Sequence, residues 1–224
     1  MKAQLLDLFD TTQSFDNFIT ISNKIVSEAL KTQTNQFTNI IGSKLSGKTH
    51  LLKSWVKYAI EQHKSAIYLD ANQTIDEDEI RHLATYYQFI AIDNINYLSD
   101  LHQIELFDLF NSIKLNNRDN LLLTSSTFSL DNTPNIRDDL RTRILSGLNL
   151  ILKSPDDDEI MKTLEIYISK EGVTINDAEL KYMVTHYTRN IGTLINTIHK
   201  IANAAVLEKR NITIPLIKSV IDKI

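Results

Sequence analysis

The residues best suited to chemistry lie in one eight-residue stretch, Gly42-Ser43-Lys44-Leu45-Ser46-Gly47-Lys48-Thr49. It fits the pattern G-x-x-x-x-G-K-[ST] in full. Each residue type has a task at this spacing. The glycines let the chain bend so that backbone N–H groups converge on phosphate oxygens. The Lys48 ammonium reaches the terminal phosphates, and the Thr49 hydroxyl helps hold Mg2+. The helix that follows aims its positive end at the anion. The chain has only five glycines, and two of them occupy the two required places. The expected ligand is ADP or ATP with Mg2+.

Such a loop needs a carboxylate at the end of a nearby strand, to hold Mg2+ through water. The run Phe89-Ile90-Ala91-Ile92-Asp93 supplies it. Thr49 and Asp93 are therefore the candidate metal-site pair. Many P-loop ATPases carry a second acid at the next position, where it activates the attacking water. Here that residue is Asn94. An amide orients a water but cannot take its proton. Slow intrinsic hydrolysis follows, with the nucleotide used more as a structural ligand than as a fuel. Rival chemistries have little support. The six histidines show no metal-ligand spacing, and no G-x-S-x-G elbow is present. The absence of cysteine removes disulfides, thiolate zinc sites and cysteine nucleophiles.

These residues need a scaffold, and the apolar pattern describes one. Short apolar runs at Phe37 to Gly42, Ala66 to Asp70, Phe89 to Asp93, Leu121 to Thr124 and Leu148 to Leu152 are bounded by polar residues. Buried parallel strands have this form. Helix-length segments over 48–62, 75–86, 99–115 and 134–145 alternate with them. The alternation predicts an α/β domain, with helices packed around a parallel sheet. Tyr86 and Tyr87 are expected in its core. Beyond Ser154-Pro155 the pattern changes to helices alone, over 156–170, 176–187, 190–208 and 213–223. Pro155 followed by Asp156, Asp157, Asp158 and Glu159 marks a helix start, with acids at the positive end of the dipole. Asn176 is a plausible N-cap.

Composition bounds the partners. The 224 residues carry 24 basic and 28 acidic side chains, a net charge of −4. Generic nucleic-acid binders show a basic excess or stripe, so DNA binding through bulk electrostatics is disfavoured. Acidic residues interrupt the N-terminal segment within seven positions, which excludes a signal peptide. No apolar run reaches the roughly twenty residues of a membrane span. A cytoplasmic protein without membrane contact is expected.

Taken together, these segments resemble the AAA+ module of the replication initiator DnaA, and more closely the Hda-type regulatory inactivators of DnaA. The carrying residues are Ser14-Phe15-Asp16-Asn17-Phe18, the phosphate loop followed by His50-Leu51-Leu52, and Ile92-Asp93-Asn94-Ile95. They continue through Phe107-Asp108-Leu109-Phe110-Asn111, Leu140 to Leu148 and Ile212-Thr213-Ile214-Pro215. The resemblance implies an AAA+ P-loop domain over 15–154 and a helical lid over 155–224. It adds His50 to the nucleotide-binding set and makes Arg143 an arginine finger acting in trans on a neighbour's ATP. It also makes 1–14 a peptide and linker that docks on the DNA polymerase III sliding clamp (the beta subunit) through Gln4, Leu5, Leu8 and Phe9. DnaA is then the target, DNA is met only through the clamp, and self-association as a homodimer or larger assembly is expected. The implied function is to stimulate hydrolysis of DnaA-bound ATP and so inactivate DnaA. The alternative is an AAA+ ATPase acting as helicase loader or DnaA-like initiator. The initiator's C-terminal DNA-binding domain has no counterpart before Ile224.

Three departures from the family pattern bear on turnover. Ser126 stands near the acidic sensor position at the end of the Leu121 run. Gly192 stands where a lid sensor arginine is expected, with Arg189 beside it. Leu45 replaces a glycine common in the loop. All three argue against tight ATP discrimination and self-catalysed turnover.

Overall fold

The computed structural model describes residues 13–18, 21–115, 119–127 and 135–223. It divides into two compact units, Met1–Ser154 and Pro155–Ile224. In the first unit, α1 (Lys24–Lys31) precedes β1 (Phe37–Gly42), α2 (Lys48–Glu61), β2 (Ala66–Asp70), a short α3 (Leu83–Tyr86) and β3 (Phe89–Asp93). Then follow α4 (Asp100–Leu115), β4 (Leu121–Ser126), α5 (Asp138–Leu145) and β5 (Leu148–Leu152). The strands form one sheet in the order β2-β3-β4-β1-β5, and every pairing is parallel. The α/β reading is thus met, and the β1–α2 turn falls beside the strand ends.

The two-residue period of the strands sorts their side chains onto two faces. Ile67, Leu69, Ile90, Ile92 and Leu122 pack with Leu106, Leu109 and Ile113 of α4 and with Leu140 and Ile144 of α5. Ala66, Tyr68, Ala91, Leu123 and Ile40 pack on the other face, against Leu51, Leu52, Trp55 and Val56 of α2. Trp55 meets Phe89 with ring centroids 4.9 Å apart. Continuous apolar runs are what a sheet covered on both faces requires. The outer strand β5 is held at its end by Asn23. Its side-chain Nδ2 donates to Lys153 O at 2.7 Å, and its Oδ1 accepts from Lys153 N at 2.9 Å.

The segment 75–86 departs from expectation. Only Leu83–Tyr86 is helical. The carboxylate of Glu105, fully buried on α4, takes the backbone N–H groups of Asp78 (2.9 Å) and Ile80 (3.2 Å). Asp78 sits at φ 62°. Ile75, Ile80 and Leu83 still enter the core, but from a looped backbone. Tyr86 is 66 % exposed rather than in the core, whereas Tyr87 packs partly against it. Strand β4 also runs on to Ser126, beyond Thr124.

The second unit contains α6 (Asp157–Glu171), α7 (Asp177–His186), α8 (Ile191–Leu207) and α9 (Ile214–Ile221) around Leu164, Leu180, Met183, Leu194, Ile198, Ile201, Leu216 and Ile217. Asp156 caps α6 by accepting from Glu159 N at 2.8 Å. Asn190 caps α8 by accepting from Thr193 N at 2.9 Å. Asn176 occupies the N-cap position of α7 without a side-chain bond.

Candidate functional site

The β1–α2 turn closes tightly over itself. Gly47 stands before α2 at φ 97°, where a Cβ would lie 2.9 Å from the Phe18 ring. A Cβ on Gly42 would lie 2.6 Å from Ser46 Oγ and 3.0 Å from Leu152 O. Both positions exclude side chains on steric grounds. Leu45 adopts φ 68° with its side chain about half exposed. The loop thus retains the left-handed turn that glycine makes without strain.

Lys48 is buried and donates to Gly42 O (2.6 Å) and Ser43 O (2.9 Å). Burial pushes its pKa below the usual lysine value, and the negative charge of Asp93 opposes that shift. Ser46 Oγ is buried with no hydrogen-bond partner among the described residues. A buried cation and an orphaned hydroxyl within one loop suit an anion, so these residues fit a phosphate group. Lys44 is exposed, and Ser43 Oγ meets Ser154 Oγ at 2.5 Å.

Asp93, at the end of β3, is fully buried and saturated with donors. Thr49 Oγ1 (2.6 Å) and Tyr68 OH (2.9 Å) donate to Oδ2. Ser125 Oγ and the Asn94 backbone N–H (3.0 Å) donate to Oδ1. The Thr49–Asp93 pair supplies only oxygen donors, the set that Mg2+ prefers. Mg2+ held there would neutralise charge on bound phosphates. Among the described residues no group of three His, Asp or Glu side chains is arranged to hold a metal by itself.

Asn94 sits in the left-handed region at φ 58°, which asparagine tolerates. Its Nδ2 donates to Asp70 Oδ1 at 2.9 Å, and Asn72 donates to the same oxygen from backbone and side chain. The amide is therefore held toward β2. His50 Nε2 lies 3.0 Å from Ser14 O, and its ring packs 5.3 Å from Phe18. Burial lowers its pKa, and the contact with Ser14 O opposes that shift.

Arg143 does not share this corner. It lies in the last turn of α5, with its guanidinium 5.6 Å from the centre of the Phe107 ring. It has no carboxylate partner among the described residues. Arg141 is committed locally, to Asp138 (2.5 Å) and Ile136 O (2.9 Å). Ser126 Oγ accepts from Asn39 Nδ2 at 3.4 Å. In the helical unit, Arg189 pairs with Asp157 at 3.0 Å, so it is already engaged. Gln4, Leu5, Leu8 and Phe9 lie outside the described residues. Sequence spacing did not single out Tyr68, Asp70 or Ser125. The available signal was their place at the carboxyl ends of parallel strands, where ligands bind in open α/β sheets.

Comparisons with known proteins agree with this architecture. Residues 156–221 match the family model for the Hda lid domain. An uncharacterized Haemophilus influenzae protein is 26 % identical over 221 residues, covering 93 % of each chain. The replication initiator DnaA of Helicobacter acinonychis is 24 % identical over 229 residues, which cover 93 % of this chain and 50 % of that protein. The chain thus spans about half the length of the DnaA proteins it matches. Among solved structures, domain III of Thermotoga maritima DnaA superposes with a TM-score of 0.78 at 18 % identity, covering 96 % of this chain and 97 % of that one. AMPPCP-bound DnaA from Aquifex aeolicus gives 0.69 at 21 %, covering 86 % and 65 %. No helix among the described residues is long and apolar enough to cross a membrane. With its phosphate loop and five-stranded parallel sheet, the chain has the fold of DnaA domain III, and its residues 156–221 match the Hda lid domain.

Proposed function

We propose that this protein is a regulator of replication initiation that holds ADP or ATP with Mg2+ and promotes hydrolysis of ATP bound to DnaA. Gly42–Thr49 and His50 form the nucleotide corner, with Asp93 and Asn94 beside it. Asn94 is the observation that carries this reading. The position that activates water in many P-loop ATPases holds an amide, and Asp70 restrains that amide. Such a site retains nucleotide better than it turns it over. The match to an Hda-type lid favours a regulator over an initiator.

Arg143 is the residue assigned to the reaction. A guanidinium without a carboxylate partner among the described residues is available to neutralise charge developing on a transferred phosphoryl group in a neighbouring subunit. The segment Gln4-Leu5-Leu6-Asp7-Leu8-Phe9 is assigned to the sliding clamp. Its glutamine offers directional hydrogen bonds, and its leucines and phenylalanine offer apolar anchors. Tethering to clamp on DNA raises the effective concentration of a weak contact with DnaA.

The test follows ATP pre-bound to purified DnaA, with this protein and with clamp loaded on DNA. Conversion to ADP that requires both additions is the expected result. Conversion that proceeds equally without this protein overturns the regulator reading. Rapid ATP turnover by this chain alone favours a motor or loader instead.

A further inference from the structure

Resting on the role proposed for Arg143, we propose that Asn149 is its positioning residue. The Asn149 side-chain amide fixes the helix end that carries the guanidinium, and Asn39 fixes Asn149 from within the sheet. Arg143 stands in the last turn of α5, which ends at Leu145. The last four carbonyls of a helix lack partners inside it. Here other groups supply them. Thr142 O accepts from Ser146 N at 3.1 Å, and Ile144 O accepts from Gly147 N at 3.1 Å. Arg143 O accepts from Ser146 Oγ at 2.7 Å. Asn149 Nδ2, on β5, donates to Gly147 O (3.1 Å), Leu145 O (3.2 Å) and Ile144 O (3.5 Å). It thus reaches the carbonyls of the two residues that follow Arg143. The turn from α5 into β5 is also close-packed, since a Cβ on Gly147 would lie 2.6 Å from Phe37 O.

Asn149 is itself oriented by a polar row across three strands. The register sets Asn39 of β1 opposite Asn149 of β5 on one side and Thr124 of β4 on the other. Asn39 Nδ2 donates to Asn149 Oδ1 and to Ser126 Oγ, each at 3.4 Å. Asn39 Oδ1 accepts from Thr124 Oγ1 at 2.9 Å. Asn39, Thr124 and Ser126 are all buried. Both donors and the acceptor oxygen of Asn39 are therefore used. Asparagine is disfavoured in strands, and a buried amide is costly unless satisfied. Leucine at 39 and 149 would fill the same space, but apolar contact has no direction. A satisfied polar row has one arrangement, and this one ends on the α5 carbonyls. The Phe107 ring meets the guanidinium from α4. Backbone and side chain of Arg143 are thus held from two different elements.

Asn149 is half-buried, so water reaches the carbonyls that Asn149→Leu would leave, and the volume is kept. Loss of ATP from DnaA is followed against the concentration of the whole chain, with clamp on DNA, for wild type, Asn149→Leu, Asn39→Leu and the double variant. Small misplacement of a reacting group is costly. The rate at saturation is therefore expected to fall about tenfold in Asn149→Leu and about threefold in Asn39→Leu. The half-saturating concentration and the chain's own ADP affinity stay within about twofold. Asn39 acts through Asn149, so the double variant matches Asn149→Leu; independent packing losses would multiply to about thirtyfold. Hydrogen exchange at the Ser146 and Gly147 amides rises in each variant. Asn149→Ser, which adds no apolar surface, is carried in parallel and shows the same split. An unchanged rate at saturation, unchanged exchange, a matching loss of ADP affinity or multiplying losses overturns the assignment. Stimulation that is absent in the wild type, or that persists in Arg143→Ala, instead overturns the reading of Arg143 on which it rests.

Discussion

The corner around Asp93 and the surface around Arg143 are built on opposite plans, although both belong to the same domain. In the corner, polar atoms are tied several times over: four donors on the buried Asp93, two carbonyls on the buried Lys48, three donors on one oxygen of the half-buried Asp70. Buried networks of this kind have one low-energy arrangement and resist rearrangement. Arg143, by contrast, rests against the Phe107 ring at the end of a two-turn helix. Stacking holds a guanidinium direction without consuming its five donors. The first arrangement suits a ligand that stays; the second suits a contact made and broken with another molecule. Arg141, two residues away and already paired, makes the difference local rather than general to α5.

Four substitutions break or sharpen this contrast. The largest effect is expected from Arg143→Ala, which removes the contribution proposed to act in trans. Arginine fingers contribute on the order of 10³ or more to such rates, so loss of ATP from DnaA should slow by about that factor, while ADP affinity of this chain stays within about twofold. Lys48→Ala should do the reverse within this chain, lowering ADP affinity by about 100-fold, as expected for a lost charge-assisted contact to phosphate. Phosphate release from DnaA-bound ATP and isothermal titration with ADP, run on both variants, read the two effects side by side. Asn23→Ala leaves the Lys153 N–H and C=O without their partner at the sheet edge. Unfolding in urea should show a loss of about 1–3 kcal/mol. Leu45→Gly relieves a left-handed leucine, worth about 1–2 kcal/mol, against a backbone-entropy cost of about 0.5–1 kcal/mol. A small rise in Tm is expected, and a fall would contradict the strain.

A pH effect separates the corner further. The pKa of His50 lies below its ordinary value of 6.5 because burial disfavours the cation. The unfolded chain then binds more protons as pH drops below about 6.5, so stability declines on acidification until the folded His50 also titrates. His50→Gln should flatten the stability profile as pH falls below about 6.5. An unchanged slope would assign the acid sensitivity elsewhere.

Much of this was legible in the residues, and the rest was not for identifiable reasons. The strands stood out because both faces of the sheet are covered, which makes each run apolar throughout. The phosphate loop stood out because its chemistry fixes residue types at fixed spacing. Segment 75–86 reads as a helix because it is a helix-length stretch between two apolar runs, while the deciding group, the buried carboxylate of Glu105, lies on another element. Tertiary partners override local propensity in this way. Tyr68, Asp70 and Ser125 are hidden in the sequence for the same reason: the first two lie on β2 and the third on β4, and only sheet order brings them beside Asp93 of β3.

The central claim, that this chain retains its own nucleotide while promoting loss of another's, is tested most directly by labelling the two nucleotides differently. DnaA is loaded with ATP carrying one γ-phosphate isotope and this chain with ATP carrying another, and the two are mixed with clamp on DNA. The account predicts rapid phosphate release from the DnaA label alone, abolished by Arg143→Ala. Release from this chain's own label at a comparable rate, or release from DnaA that persists in Arg143→Ala, would contradict it.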